Sequence, residues 1–147
     1  MNRLLPRPSL MTRIIVGKLT GFAIGLLGLV LLPAFLPNAD WWLRIGAVLW
    51  YTTLGAIIGV FGVVDWHPVL RVRMPWWLVM PAVGAWMNAV VVMLAHASFV
   101  QMMASMLDGG SVLRSPFWFA AEGAVVGFVI GYLATRFGGE GPATAGR

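Results

Sequence analysis

Polar positions are sparse along this chain and gather at intervals. Four apolar runs, at about 14–36, 44–64, 75–97 and 116–137, are separated by short stretches of Pro, Asp, Asn, Arg and Gly. A helix rising ~1.5 Å per residue needs ~20 apolar residues to cross ~30 Å of hydrocarbon, and each run is about that long. The pattern predicts an all-α integral membrane protein, with four transmembrane helices in a compact bundle. It forms one domain over 1–138, and the Gly-rich residues 139–147 read as a disordered tail. A fifth, shorter pattern lies in the third connection. Phe99, Met102, Met103, Met106 and Leu107 recur at helical spacing opposite Ser98, Gln101, Ser105 and Asp108. This predicts a short interfacial helix between helices 3 and 4. Asp108-Gly109-Gly110-Ser111 ends it, and Ser115-Pro116 opens the last span with a capping serine and a proline in the first turn.

Composition sharpens the picture. A 147-residue chain that is 60% hydrophobic and 10% charged, with a mean hydropathy of +0.87, would leave too much apolar surface in water. The net charge of +5 raises nucleic acid as a partner. No basic run or separate polar domain carries that charge, so nucleic acid is excluded. The expected counter-charge is the anionic headgroup layer of a lipid bilayer, with Arg71 and Arg73 beside Trp76-Trp77 as the headgroup contacts. The absence of cysteine rules out disulfides, iron–sulfur clusters and thiol catalysis.

The basic residues also set an orientation. Arg3, Arg7, Arg13, Lys18, Arg71, Arg73, Arg136 and Arg147 fall on one side of the four spans, and Arg44 and Arg114 on the other. Positive residues favour the cytoplasmic side, so both termini are expected there (N-in/C-in), in a bacterial inner membrane. Trp41, Trp42 and Phe117-Trp118-Phe119 mark one interface, and Trp66, Trp76 and Trp77 the other. Trp50 and Trp86 lie deeper and read as packing residues. The first run is longer than a signal-peptide core and lacks an Ala-x-Ala exit, so it reads as an uncleaved span.

Three spans carry glycines along one face. Gly17, Gly21, Gly25 and Gly28 share an arc at ~100° per residue, as do Gly55, Gly59 and Gly62, and Gly123, Gly127 and Gly131. In lipid, helices gain nothing from apolar burial, so small residues that let backbones approach mark packing faces. These faces serve either packing within one bundle or an interface with another chain.

Glu122 is the costliest residue, at least ~2.5 kcal/mol for a carboxylate in hydrocarbon, so it needs a partner, water or a proton. Asn88, His96 and Arg44 fall at a similar depth. The four predict an intramembrane polar cluster in which Glu122 forms an ion pair with Arg44 or His96, handles a proton or cation, or reaches outward to interfacial water. Glu122 also points about 140° away from the Gly123/Gly127/Gly131 stripe at ~100° per residue, which favours an oligomer or partner on one of the two faces. No catalytic, cofactor or metal site is expected. His96 with Met93, Met102, Met103 and Met106 has soft-metal character, but methionine is also a common apolar filler. Asp65 and His67 read as turn residues, and Ser111 and Ser115 lack a base.

Two functional expectations follow. The first is a non-enzymatic subunit or assembly factor of a membrane complex, packing through its glycine faces. The alternative is a small oligomeric channel or proton/cation-coupled transporter with Glu122 as the membrane carboxylate. In size and plan the chain is similar to small multidrug exporters and fluoride channels. The exporters place their carboxylate in the first span, so the similarity carries no site residue to this chain.

Overall fold

The computed structural model describes residues 9–37, 39–66, 69, 71–106 and 115–146. Among these the chain is helical without strands: α1 (Leu10–Phe35), α2 (Trp41–Phe61), α3 (Trp76–Leu94), α4 (His96–Met106), α5 (Trp118–Gly138) and a 3-10 turn at Pro142–Ala145. α1, α2, α3 and α5 are long and apolar enough to cross a membrane. Only 17% of the most apolar window of α1 is buried, and Leu19, Leu27 and Val30 point outward, as lipid-facing residues should.

Local chemistry sets the helix ends. The Ser9 hydroxyl accepts from the Thr12 amide at 3.4 Å and starts α1 a turn before the apolar run suggested. Asp40 accepts from the Leu43 amide at 2.7 Å and starts α2. Pro75 precedes α3 and has no side chain to cap it. The missing cap comes from Glu140, whose Oε1 accepts from the Trp76 amide at 2.9 Å. A short helix does occupy the third connection, set off from α3 by a break at Ala95. The expected turn at 108–111 lies outside the described residues.

The helices form two tight pairs, α1 with α2 and α3 with α5. A methyl group on Gly17 would overlap the carbonyl oxygen of Gly55, and one on Gly21 that of Tyr51. On Gly25 it would lie 2.7 Å from the Val48 Cα, and on Gly59 2.8 Å from the Ile14 Cα. In the second pair, a methyl on Gly84 would overlap the carbonyl of Gly123, and one on Gly127 that of Met80. A methyl on Gly123 would lie 2.5 Å from the Gly84 carbonyl oxygen, and one on Gly131 2.5 Å from the Met80 side chain. Gly28 meets nothing within 4 Å. Tyr51, Leu54 and Ile58 join Val79, Met80, Val126 and Ile130 in the core where the pairs meet.

Residues 139–146 run back across the helix ends. Gly139 and Gly141 adopt φ of 81° and 78°, the left-handed region that glycine enters without penalty. The turned chain then donates from the Gly141 amide to the Gly62 carbonyl at 3.0 Å, and Thr144 is buried. The glycines of this stretch are its turn positions.

Candidate functional site

Glu122 sits about one turn into α5, and its carboxyl group meets donors from two other helices. Tyr51 Oη, from the middle of α2, lies 2.6 Å from Oε1 and 2.8 Å from Oε2. Asn88, on α3, donates from Nδ2 to Oε2 at 3.0 Å and to the Phe119 carbonyl at 3.0 Å. The Asn88 Oδ1 accepts from Trp50 Nε1 at 2.9 Å. Asn88 is fully buried and Tyr51 nearly so, whereas Glu122 lies exposed on the rim of the bundle.

Hydrogen counting shows what this arrangement can do. The Tyr51 hydroxyl has one hydrogen and cannot donate fully to both carboxyl oxygens. If the carboxyl group carries a proton, that proton can donate to Tyr51 Oη while the hydroxyl donates to the other oxygen. Every short contact then has its own hydrogen. If the carboxyl group is ionised, the Tyr51 hydrogen is shared and the Asn88 bond persists. Glu122 can therefore gain or lose a proton, or face a cation, without losing its positioning partners.

The four expected cluster residues divide. Glu122 and Asn88 are brought together; among the described residues neither Arg44 nor His96 forms an ion pair with Glu122. Arg44 lies seven residues before Tyr51, ~10.5 Å along the α2 axis, and its Nε is buried without a hydrogen-bond partner. His96 belongs to α4 beyond the break and is exposed, its ring 6.4 Å from that of Phe117. Depth counted along each run placed these four at one level, but Arg44 lies two turns from Tyr51 along α2 and His96 lies beyond the end of α3. On the second face of α5, Tyr51 of the same chain reaches the Glu122 carboxyl group, while the residue itself stays exposed on the rim.

Tyr51 and Trp50 are the members that the sequence reading missed. Tyr51 is one of two tyrosines, and a phenol at mid-span needs a polar partner, so the signal was present. Trp50 does pack against the core, but its ring N–H also fixes Asn88. Trp86, also read as a packing residue, is exposed on the perimeter.

A second polar centre lies where the two termini meet. Arg13 is fully buried. Its Nε donates to the Gly59 carbonyl at 3.2 Å, and its Nη1 donates to Thr135 Oγ1 at 3.2 Å and to the Gly139 carbonyl. Its guanidinium lies against Gly62 and its stem against Gly138. The ends of α2 and α5 leave carbonyls without helical N–H partners, and these carry negative partial charge. A planar guanidinium meets several of them at once. The sequence reading counted Arg13 as a boundary charge. Its burial depends on Gly62 and Gly138, where an added methyl group would overlap the guanidinium and the stem.

Arg71 and Arg73 lie exposed in the α2–α3 loop, where residue 73 bridges back to Trp66. Among the described residues no three His, Asp or Glu side chains converge on a metal-sized site. No family model matches this sequence, and comparison with curated proteins and solved structures finds no similar one.

Proposed function

We propose that the protein is a small channel or proton/cation-coupled transporter in which Glu122 takes up and releases the proton or cation. The supporting observation is that neutral donors, Tyr51 and Asn88, hold the Glu122 carboxyl group. Intramembrane carboxylates pair with other groups, face water, or mark proton and ion paths. Here the charge is left to an exchangeable proton or cation. The glycine faces, which motivated the assembly-factor reading, are filled by helices of the same chain except at Gly28.

The assembly reading keeps one observation in its favour. Glu122 lies exposed on the rim, where hydrocarbon would be a costly neighbour. A second copy or a partner subunit covering that rim would shield it, so a transporter working as a homo-oligomer or within a larger complex reconciles the two readings. The proposal places the protein in a bacterial inner membrane with both termini cytoplasmic and Arg71 and Arg73 at anionic headgroups, and the charge distribution supports that orientation. It is read by the side from which a cysteine introduced at Ser111 is labelled.

Infrared difference spectroscopy tests the site directly. A carboxyl band that vanishes in Glu122→Gln, and moves to higher frequency in Tyr51→Phe as its hydrogen bond is lost, is the expected result. A set of carboxyl bands unaltered by both changes would contradict the assignment.

A further inference from the structure

The contacts within each helix pair run through glycines along most of the pair, whereas between pairs such an approach occurs at the termini end, where Gly138 meets the Arg13 backbone. Within α1–α2 and α3–α5, backbones touch at glycines, and no side chain can slide between them. Between the pairs, the apolar core is flanked on both sides by polar links. At the middle of α2 and the start of α5 these are Tyr51 with Glu122 and Trp50 with Asn88. At the termini end they are Arg13 with Thr135 and Gly139, the Ser9 amide with the Gly138 carbonyl at 3.0 Å, and the Gly141 amide with the Gly62 carbonyl at 3.0 Å.

We infer that the two pairs rock as rigid bodies about this seam, and that Arg13 with residues 139–141 is the latch holding its termini end closed. The inference rests on the proton/cation reading of Glu122, whose carboxyl group bridges the same seam on the other side of the core. Rigid-body motion of packed halves is the common way to expose a mid-membrane site to one side at a time. Three features make the termini end a latch rather than inert core. Each of its links crosses a separable boundary, and two of them come from a segment beyond the last span. Glu140, in the same segment, caps α3 through the Trp76 amide, so the segment engages the second pair at two helix ends. Arg13 Nη2 is buried without a hydrogen-bond partner. A buried unsatisfied donor disfavours the state that contains it, so the closed state is held less firmly than its other bonds would imply.

The cysteine-free chain allows spin labels at chosen positions. Labels at Phe61 and Phe137, both exposed, read the distance between pairs at the termini end. Labels at Met11 and Phe61 read the distance within α1–α2 as a control. Gly141→Pro removes the N–H that holds Gly62 and cannot adopt a φ of 78°. Arg13→Met removes the other half of the latch. Because Arg13→Met could also impair folding, Gly141→Pro, at a loop position, is the deciding variant. The expected result for full-length protein in lipid is a longer between-pair population in Gly141→Pro with an unchanged within-pair distance. Unchanged distances in both label pairs would overturn the latch, as would a parallel broadening of both. Glu122→Gln leaves every latch residue in place, so its flux phenotype judges the Glu122 reading separately.

Discussion

Gly21→Leu separates α1 from α2 and leaves little folded protein. A methyl group at this position already overlaps the Tyr51 carbonyl oxygen and lies 3.3 Å from the Gly55 Cα. Those atoms are backbone in a packed helix, so relief requires moving the whole of α2. Overpacking a core costs ~1–3 kcal/mol where side chains can yield. Here they cannot, and the loss is expected at or above the top of that range. Gly28→Leu provides the contrast, since nothing stands within 4 Å of the added group. Thermal unfolding in detergent should show a large drop for Gly21→Leu and almost none for Gly28→Leu. Equal behaviour of the two would show that the α1–α2 contact is not as described.

Arg13→Met has the second-largest expected effect. It strands the Gly59 and Gly139 carbonyls and the Thr135 hydroxyl where water does not readily replace the donor. Hydrogen bonds to charged groups contribute ~1.5–3 kcal/mol each. Releasing a buried charge offsets part of that loss, which leaves a net destabilisation of about 2–4 kcal/mol. Arg13→Lys keeps the charge but not the planar fork that reaches several acceptors, so it should fall between Met and the wild type. Unfolding by detergent titration checks the order. An Arg13→Met protein as stable as the wild type would show that the termini end is held by backbone contacts alone.

The sequence was informative to different depths at different places. The four spans were legible because length and hydropathy answer to one constraint, the thickness of hydrocarbon. The glycine stripes were legible as packing faces, but not which helix each would meet. Gly17 and Gly28 lie on the same stripe, yet Gly17 touches Gly55 and Gly28 touches nothing. Glu122 was legible as a group in need of a partner, and Asn88 as a neighbour. The choice of Arg44 and His96 failed because it followed charge and depth, while the side chain of Tyr51 reaches Glu122 from the middle of α2. Arg13 was hidden for a different reason. Its acceptors at Thr135 and Gly139 lie more than 120 residues away and close around it only once the tail turns back.

The central claim is that Glu122 exchanges a proton or cation. It is tested most directly by proton flux into liposomes carrying the purified protein, driven by a potassium diffusion potential and read by an entrapped pH-sensitive dye. Glu122→Gln keeps shape and hydrogen-bonding capacity but removes the exchangeable charge. Wild-type vesicles that acidify faster than empty ones, with Glu122→Gln vesicles indistinguishable from empty and the variant as thermally stable as the wild type, is the expected result. Acidification by Glu122→Gln at the wild-type rate, or wild-type vesicles no faster than empty ones, would contradict the claim.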